Sequence, residues 1–591
     1  MFRKARIASC LAFYPPVAWP EITEEVAVVH ARPVYRPGLR RRAGHSYELA
    51  SLLLRSGLFL SGSQMRIPRH VSALLHWSTS LPGLAAAAAA RHPDKPAIID
   101  DEGVVTAGEL HERTTRLARG LPLEGPRPRI GILCRNHRGM VEALVAAGKV
   151  GAETILLNTG FGAGQLRGVL TELRVDLLIA DAEFAGVIAM VPLALRRQVV
   201  WADSVGGPGP TIGQLIESTE PGELEPPQVQ GRTVMLSSGT TGRPKGARRP
   251  PRPGLWPLAS LRSRIPFHTR DTMIIEAPLF HTWGFAAMQI ALGMRCPIVL
   301  HRRFSPETTL RAISERRRAV LFAVPVMLQR IMELPVEVRS RHDTSALRLT
   351  AVSGATLPGD LATRFMDAFG DRLYNVYGST EASWVSIAGP RDLRAAPGTA
   401  GRPPRNTSLA ILDDEGRPVP RGGIGRIFAA NEMLFEGYTS GEPIPAWEGL
   451  LCTGDLGHLD KKGRLYIDGR QDGLVISGGE NIVPREVEDE LSRLEGVREV
   501  AVIGVPDEEY GQRLAAYVVR TPGSALTTDA VRDHVRNQLA RFAVPRDVHF
   551  IPELPRNATG KVVHRRLTGM ERGGARRAPS GSWITSTEPA A

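Results

Sequence analysis

Apolar runs of strand length alternate with longer amphipathic stretches from about residue 79 onward. The predicted strands lie at residues 130–134, 154–157, 177–180 and 272–275. The predicted helices include residues 139–150 and 305–318. Strands that alternate with helices favour a layered α/β architecture with largely parallel sheets.

The pattern changes twice in the second half of the chain. Around residues 410–437 the spacing shortens and glycines cluster, which predicts a small β-rich module. Residues 469–473 form a polar, glycine-bounded break. After the break, we predict an α+β domain with helices at residues 484–494 and 529–539, and strands at 497–504, 515–519 and 547–550.

These patterns divide the chain into a large and a small domain between two tails. We predict a poorly ordered basic tail at residues 1–45 and a helical lead-in at 46–78. The large domain is expected to span residues 79–469 and the small C-terminal domain 470–570, followed by a disordered tail at 571–591.

Composition excludes several classes of protein. Hydrophobic residues make up 42% of the chain and charged residues 23%, which is ordinary for a globular protein and excludes a wholly disordered one. The four cysteines are far apart in sequence, so a zinc knuckle and a disulfide scaffold are both disfavoured. No run of about 18 apolar residues predicts a membrane-spanning helix. We therefore predict a cytoplasmic protein.

Positive charge is concentrated near the N-terminus. The net charge is +13, and residues 1–70 hold 11 Lys and Arg against 4 Asp and Glu. A solvated arginine-rich tail explains this excess, and no aromatic interleaving supports a nucleic-acid partner. The alternative is peripheral contact of the lead-in with the inner face of a membrane. The sequence carries no prediction of oligomeric state.

The strongest chemical signal is the segment Met235-Leu-Ser-Ser-Gly-Thr-Thr-Gly-Arg-Pro-Lys-Gly246. Glycines allow backbone N–H groups to turn toward an anion, while hydroxyls and a lysine add further donors. The segment is not a Walker A loop, because Gly246 rather than Ser or Thr follows the lysine. The predicted phosphate-binding residues are Ser237, Ser238, Gly239, Thr240, Thr241, Gly242 and Lys245.

This segment resembles the phosphate loop of the adenylate-forming superfamily, which includes acyl-CoA synthetases, luciferases and peptide-synthetase adenylation domains. Further resemblances follow in the family's order: Asn375-Val-Tyr-Gly-Ser-Thr-Glu381, Thr453-Gly-Asp455, Gly469-Arg-Gln-Asp472, Ser477-Gly-Gly-Glu-Asn481 and Asn557-Ala-Thr-Gly-Lys561. The resemblance covers about residues 46–570. It is strongest to actinobacterial fatty-acyl-CoA synthetases, and it includes the segment Pro278-Leu-Phe-His-Thr-Trp-Gly284.

The resemblance implies an acid–thiol ligase that uses ATP, Mg²⁺ and coenzyme A. A carboxylate would attack the α-phosphate of ATP to form an acyl-AMP, and a thiol would then displace AMP. It also implies a large adenylate-forming domain and a small mobile C-terminal domain. A medium- to long-chain fatty acid is the expected substrate. The alternative substrate is an aromatic or other small carboxylate, and the alternative acceptor is a carrier-protein thiol in place of CoA. The intact motifs disfavour a non-catalytic binding protein.

The resemblance also implies roles for single residues. Glu381 would hold Mg²⁺, Thr380 would contact the α-phosphate, and Lys561 would bridge the carboxylate and the α-phosphate. The other predicted nucleotide-site residues are Tyr377 for adenine stacking, Asp455 and Arg470 for the ribose, Gly354 and Ala355 along the nucleotide and acyl pocket, and Asn375, Gly378 and Ser379 within the motif.

Three further positions are implied in acid entry and in domain rotation. His281 would lie beside the acyl site and help to gate carboxylate entry. Asp472 would be the pivot of the small domain, which then presents Gly478 and Gly479 to the thiol acceptor. Many relatives carry a second acidic residue where this chain has Gly473, which predicts a looser hinge.

Overall fold

In the computed structural model, the chain divides into two units, residues 1–42 and 43–591. The structure describes residues 51–52, 54–58, 63–195, 198–238, 244–249, 256–473, 475–477, 480–507, 511–539, 543–557, 560–564 and 566–568, all in the second unit. The predicted tails at 1–45 and 571–591 therefore lie outside the described residues, and the lead-in at 46–78 is described in part. No described helix is long and apolar enough to cross a membrane.

The first part of the chain builds a parallel sheet with its helices. Its elements are α1 (Ile67–Trp77), α2 (Leu81–Arg91), β1 (Pro96–Asp100), β2 (Gly103–Thr106), α3 (Ala107–Gly120), β3 (Arg129–Leu133), α4 (Arg138–Lys149), β4 (Glu153–Leu156), α5 (Ala163–Glu172), β5 (Leu177–Ala180), α6 (Ala185–Ala189), β6 (Val199–Trp201), α7 (Ile212–Ser218), β7 (Thr233–Ser238) and β8 (Pro244–Arg249). The sheet has the strand order β6-β5-β3-β4-β7-β8, and only β8 is antiparallel to its neighbour.

The next part builds a second α/β sheet. Its elements are α8 (Trp256–Arg262), β9 (Thr272–Ile275), α9 (Thr282–Met294), β10 (Ile298–Leu300), α10 (Pro306–Ser314), β11 (Ala319–Ala323), α11 (Pro325–Glu333), α12 (Val336–Arg339), β12 (Leu347–Val352), α13 (Gly359–Phe369), β13 (Leu373–Ser379), β14 (Ser383–Ala388) and α14 (Pro390–Ala395). The strand order is β14-β13-β12-β11-β9-β10-β1-β2, with antiparallel strands at both edges.

Two smaller sheets complete the chain. The elements are β15 (Ser408–Leu412), β16 (Gly425–Ala430), β17 (Ala446–Trp447), β18 (Leu450–Leu459), β19 (Leu465–Arg470), β20 (Val475–Ser477), β21 (Glu480–Ile482), α15 (Pro484–Leu491), β22 (Val497–Asp507), β23 (Gly511–Arg520), α16 (Thr528–Gln538) and β24 (Asp547–Phe550). Strands β15–β19 pair antiparallel. In the last sheet, only β24 pairs in parallel.

One apolar core joins the two large sheets. It includes side chains from both, such as Ile98, Ile132, Met235, Ile274 and Phe322, each at most 1% exposed. Helices α2, α4 and α9 contribute to the same core, because their apolar residues face a sheet or another helix on several sides. The small domain has separate apolar clusters around β22 and β23.

The observed elements follow the order of the predicted ones, with several errors of length. The helix predicted at residues 484–494 ends at Leu491, and the strand predicted at 515–519 spans Gly511–Arg520. The helix predicted at residues 305–318 ends at Ser314, because β11 begins at Ala319 and the polar residues between them form the connection. The predicted break at 469–473 coincides with a 3₁₀ turn, Gln471–Gly473, between β19 and β20.

Candidate active site

A large cavity lies where the carboxyl ends of several parallel strands meet. Strand β11 is followed by Val324, β12 is followed by Gly354, and β13 ends at Ser379, all on the cavity lining. The cavity has a volume of about 2100 Å³. Ligands in α/β sheets bind outside the carboxyl ends of the strands, so this is the expected place for a site. Lys561 of the small domain also lines it.

The β13–β14 hairpin carries Thr380 and Glu381 into this cavity. At Gly378, an added Cβ would lie 1.7 Å from the carbonyl oxygen of Ser383, so only glycine allows the two strands to approach this closely. The Thr282 hydroxyl at the start of α9 donates a hydrogen bond of 3.2 Å to the Thr380 hydroxyl. The hairpin turn is thus joined to the N-terminal end of α9.

Arg249 holds the β13–β14 hairpin through hydrogen bonds. Its guanidinium donates hydrogen bonds of 2.7 Å to the carbonyl oxygen of Thr380 and 2.6 Å to the hydroxyl of Ser383. Burial lowers the pKa of Arg249 to about 10, against the opposing attraction of the Glu381 charge. Arg249 therefore remains a cation at neutral pH. Sequence reasoning missed this residue, which lies three positions after the glycine-rich segment.

Glu381 offers an oxygen ligand on the cavity lining. Its Oε1 accepts a hydrogen bond of 2.8 Å from the Tyr438 hydroxyl, and no described residue donates to its Oε2. Burial, with the nearby charge of Glu381, raises the pKa of Tyr438, so this phenol stays a donor. Carboxylate oxygens are the ligands that Mg²⁺ prefers, so the residue fits the predicted metal role.

Lys245 contacts two residues that no motif indicated. Its ammonium forms an ion pair with Glu442 and lies 5.5 Å from the centre of the Tyr438 ring. A phosphate that binds Lys245 must therefore compete with the Glu442 carboxylate. Both partners lie nearly 200 positions further along the chain, so the segment around Lys245 carried no signal for them.

Asp455 is the centre of a polar group on β18 and β19. It accepts a hydrogen bond of 2.6 Å from the Tyr377 hydroxyl and forms an ion pair of 3.2 Å with Arg470, its cross-strand partner. Burial raises the pKa of Asp455, while the Tyr377 hydrogen bond and the charges of Arg470 and Lys561 lower it. Three residues predicted around the nucleoside, Tyr377, Asp455 and Arg470, thus meet in one place, within the electrostatic reach of Lys561.

A tight loop presents Lys561. The Lys561 N–H donates to Asn557 Oδ1 at 2.9 Å, and the Asn557 N–H donates to the Lys561 carbonyl oxygen at 2.9 Å. Gly560 has φ of +77°, and an added Cβ there would lie 2.3 Å from Val326 Cγ1 in α11. The loop therefore contacts the large domain at a point where a side chain does not fit.

His281 lies on the cavity lining as a neutral ring. Burial lowers its pKa to about 3, so it carries no charge at neutral pH. Its Nε2 has no hydrogen-bond partner among the described residues. The Nε2 atom is therefore available to a ligand. The lowered pKa excludes a role of His281 as a fixed cation.

The other predicted residues divide into two groups. Gly354, Ala355, Asn375, Gly378 and Ser379 all line the cavity. Ser237 and Ser238 lie at the end of β7, and Asp472 lies in the 3₁₀ turn, but their side chains are outside the described set. Gly239, Thr240, Thr241, Gly242, Gly478 and Gly479 lie outside the described residues.

A second cluster with metal-ligand residue types is explained by folding. Cys134, His137 and Asp181 are buried together, with their ligand atoms within 4.8 Å of one another. However, both ring nitrogens of His137 are used: Nδ1 accepts from the Gly139 N–H at the start of α4, and Nε2 lies 2.7 Å from Asp181. This histidine caps a helix, so the cluster offers no open metal site.

The small domain also contacts the large one through an ion pair. The Arg498 guanidinium in β22 donates two hydrogen bonds of 2.9 Å to the Glu333 carboxylate at the end of α11. The same helix begins beside Gly560. Two separate contacts on α11 therefore hold the domain arrangement in which Lys561 lines the cavity.

Comparison with known proteins identifies the family of the chain. The family model "AMP-binding enzyme" matches residues 85–439, and "AMP-binding enzyme C-terminal domain" matches residues 486–561. The chain is 33% identical over 487 residues to feruloyl-CoA synthase of Amycolatopsis sp, covering 80% of this chain and 95% of the relative. It is 31% identical to indoleacetate–CoA ligase of Aromatoleum aromaticum, covering 80% and 94%.

Solved structures show the same fold. ATP-bound MatB from Rhodopseudomonas palustris has a TM-score of 0.74 at 27% identity, covering 83% of this chain and 99% of that one. Apo MatB has a TM-score of 0.66 at 26% identity. These matches confirm the predicted α/β class with a large N-terminal and a small C-terminal domain. The comparisons support an acyl-CoA ligase but do not single out fatty acids. Because the first family model alone spans more than half of the chain, this protein belongs to the AMP-binding enzymes, as an acyl-CoA ligase of the adenylate-forming superfamily.

Proposed function

We propose that this ligase converts a ring-bearing carboxylic acid into its CoA thioester. The enzyme class supplies the coarse reaction: ATP and the acid form acyl-AMP and pyrophosphate, and CoA then forms the thioester and releases AMP. The ring-bearing substrate is supported by relatives at 31–33% identity that are named for feruloyl and indoleacetate substrates. A medium- to long-chain fatty acid is the second candidate, and it rests on the resemblance to fatty-acyl-CoA synthetases.

The ligase reaction in this proposal rests on one observation: Glu381, Asp455 and Lys561 all line the same cavity. Charge builds up on the phosphoryl oxygens as the carboxylate attacks, so a positioned cation stabilises that state. In this proposal, Lys561 is that cation, while Asp455 and Arg470 hold the ribose. Glu381 would hold Mg²⁺, which neutralises charge on the triphosphate when it is bound.

The described domain arrangement suits the first half-reaction. Lys561 lines the cavity, and its charge reaches Asp455. The chain also has a higher TM-score with ATP-bound MatB than with apo MatB. We therefore propose that the small domain is in its adenylate-forming position, and that rotation about Asp472 brings residues 478–479 to the site for the thiol step.

Mass spectrometry of half-reactions tests the function. The enzyme is incubated with ATP, Mg²⁺ and a panel of ring-bearing and straight-chain acids, with and without CoA. We expect acyl-AMP without CoA and acyl-CoA with it, for ring-bearing acids first. Acyl-AMP that persists with CoA present would indicate a carrier-protein acceptor. No adenylate from any acid would refute the proposal.

Gly560→Ala should slow adenylate formation. An alanine at φ +77° is strained by about 1 kcal/mol, and its Cβ would overlap Val326, so the Lys561 loop must move away from the cavity. We expect about a 10-fold loss in pyrophosphate exchange, in line with the sensitivity of rates to small misplacements. Gly523→Ala is the matched control, because Gly523 has φ of +80° but no atom within 4 Å. Equal losses in both variants would show that strain alone, not the Val326 contact, causes the effect.

Arg498→Ala should shift the domain equilibrium modestly. The Arg498 and Glu333 side chains are 38% and 29% exposed, so their pair contributes about 0.2–1 kcal/mol. We expect pyrophosphate exchange to fall about 2–5-fold with little change in the rate of thioester formation from supplied acyl-AMP. Arg493→Ala is the control, since Arg493 pairs with Glu490 of its own domain. In the double mutant Arg498→Ala/Glu333→Ala, a loss of activity equal to the product of the two single losses would show that Arg498 and Glu333 are not coupled.

A further inference from the structure

Arg249 is a buried cation without a carboxylate in direct contact. The residue is 7% exposed, and its two side-chain hydrogen bonds go to uncharged oxygens of Thr380 and Ser383. It forms no ion pair with a described carboxylate, and the Glu381 charge attracts it only from a longer distance. Burial of an uncompensated charge lowers stability, so such a residue is a candidate for a role other than folding.

Strand β8 directs Arg249 toward the site. Successive side chains of a strand point to opposite faces, and the two neighbouring arginines of β8 follow this rule. Arg248 contacts Glu153 at 3.3 Å with a side chain that is 38% exposed, whereas Arg249 reaches the β13–β14 hairpin and lines the cavity. The pairing of β7 with β8 fixes this direction, since Arg249 lies opposite Thr233. The strand therefore presents one arginine to solvent and one to the site.

The carbonyl group of Thr380 depends on Arg249 for its hydrogen bond. The guanidinium donates to this oxygen at 2.7 Å, and no other described group does so. The next carbonyl oxygen, that of Glu381, instead accepts from a backbone N–H, that of Phe435, at 2.9 Å. The peptide group between Thr380 and Glu381 is therefore oriented by a side-chain cation rather than by backbone pairing.

Ser383 adds strain to the same hairpin turn. It is a non-glycine residue with φ of +62°. Its hydroxyl accepts a hydrogen bond of 2.6 Å from Arg249 and donates one of 2.5 Å to the Met433 carbonyl oxygen. A residue in this conformation costs free energy and persists only where its surroundings hold it. Because Arg249 is one of the two groups that hold Ser383, loss of the guanidinium should allow the turn to relax.

We propose that Arg249 is a positioning residue for adenylate formation, and that its guanidinium orients the peptide group between Thr380 and Glu381. This inference rests on the proposed function and extends it to a residue outside the sequence motifs. The side chains on either side of that peptide group are the ones proposed for the α-phosphate and for Mg²⁺. A rotation of the peptide group moves both of them, and small misplacements of such groups lower rates strongly. Arg249 thus acts through the turn.

The test compares two substitutions of Arg249 with one of its neighbour. Arg249→Met removes the charge and both hydrogen bonds, so it should lower kcat for pyrophosphate exchange by about 10²-fold and change the KM for ATP by less than about 3-fold. Arg249→Lys keeps the charge but lacks the planar fork, so it should recover about 10-fold of that loss. Arg248→Met is the matched control and should exchange pyrophosphate at the normal rate.

Stability is measured on the same variants. Arg249→Met leaves two oxygens without a donor but also removes the cost of a buried charge. We therefore expect its midpoint of thermal unfolding to stay within about 3 °C of the unchanged enzyme. Arg249→Lys supplies the same kinetic comparison if the methionine variant does not fold.

Binding without turnover separates positioning from folding. The probes are adenosine and cinnamoyl sulfamoyl-adenosine, measured by calorimetry without Mg²⁺. The sulfamoyl group takes the place of the phosphoryl group, whereas adenosine ends before it. We expect Arg249→Met to weaken the analogue by about 10-fold and adenosine by less than about 2-fold, because only the analogue reaches the turn.

The outcomes separate this proposal from the function on which it rests. If Arg249→Met weakens both ligands equally, or destabilises the enzyme in proportion to the lost activity, Arg249 serves folding and the proposal is refuted. It is also refuted if Arg249→Met and Arg248→Met exchange pyrophosphate at the same rate. If the unchanged enzyme neither exchanges with any acid nor binds the analogue, the proposed function itself is wrong, and this inference fails with it.

Discussion

Lys561→Ala is expected to lower acyl-AMP formation by about 10²–10³-fold while thioester formation from supplied acyl-AMP changes little. The lysine ammonium lines the cavity, and it has no ion-pair partner within 4 Å among the described residues. It is therefore available to the negative charge that builds up during attack on the α-phosphate. In the second half-reaction, the proposed rotation carries Lys561 away from the site. Substitution of Lys561 should therefore slow only the first half-reaction.

The measurement is single-turnover kinetics of each half-reaction. Pyrophosphate exchange reports the first step, and conversion of synthetic acyl-AMP with CoA reports the second. Lys461→Ala is the matched control, because Lys461 is an exposed lysine on the connection between β18 and β19. Equal losses in the two half-reactions of Lys561→Ala would contradict the assignment, since they would indicate a role in folding or in both steps.

Asp472→Pro should have the opposite effect on the two steps. Residue 472 lies in a 3₁₀ turn between the domains. The φ angles of 3₁₀ turns, about −50° to −70°, include the value near −65° to which proline is restricted. The substitution should therefore retain the adenylate-forming arrangement and prevent rotation away from it. We expect acyl-AMP formation within about 5-fold of normal and thioester formation lower by about 10²-fold or more.

A second substitution at residue 472 separates the effect of restricting the backbone from the effect of removing the carboxylate. Asp472→Ala removes the carboxylate but leaves the φ angle free to change, so it should affect thioester formation far less than proline does. Stopped-flow measurement of CoA thioester formation from acyl-AMP distinguishes the two variants. The pivot would have to lie elsewhere if alanine and proline slowed this step equally, or if proline abolished both half-reactions.

The sequence predicted most elements because short-range patterns determine them. Strands at 177–180, 272–275 and 547–550 agree with β5, β9 and β24. Alternation of buried strands with amphipathic helices follows from which side chains must face a core, so it is readable without tertiary structure. The error at residues 315–318 has the same origin, because a polar helix end and a polar connection have similar compositions.

The sequence predicts site residues most directly where they are adjacent in the chain. Thr380 and Glu381 belong to one hairpin turn, and their motif indicated them directly. Arg249, Tyr438 and Glu442 were missed. Their roles arise from contacts with residues more than 50 positions away, namely Thr380, Glu381 and Lys245. A single sequence does not order such long-range contacts.

The sequence by itself therefore determined the fold class and the superfamily, and it predicts the residue types at the reaction centre. These depend on local hydrophobic patterns and on short motifs whose residues remain neighbours in space. Tertiary structure decided which supporting side chains reach that centre. It also placed Lys561 at the cavity through contacts on α11. Those features depend on the close packing of distant segments, which a single sequence does not order.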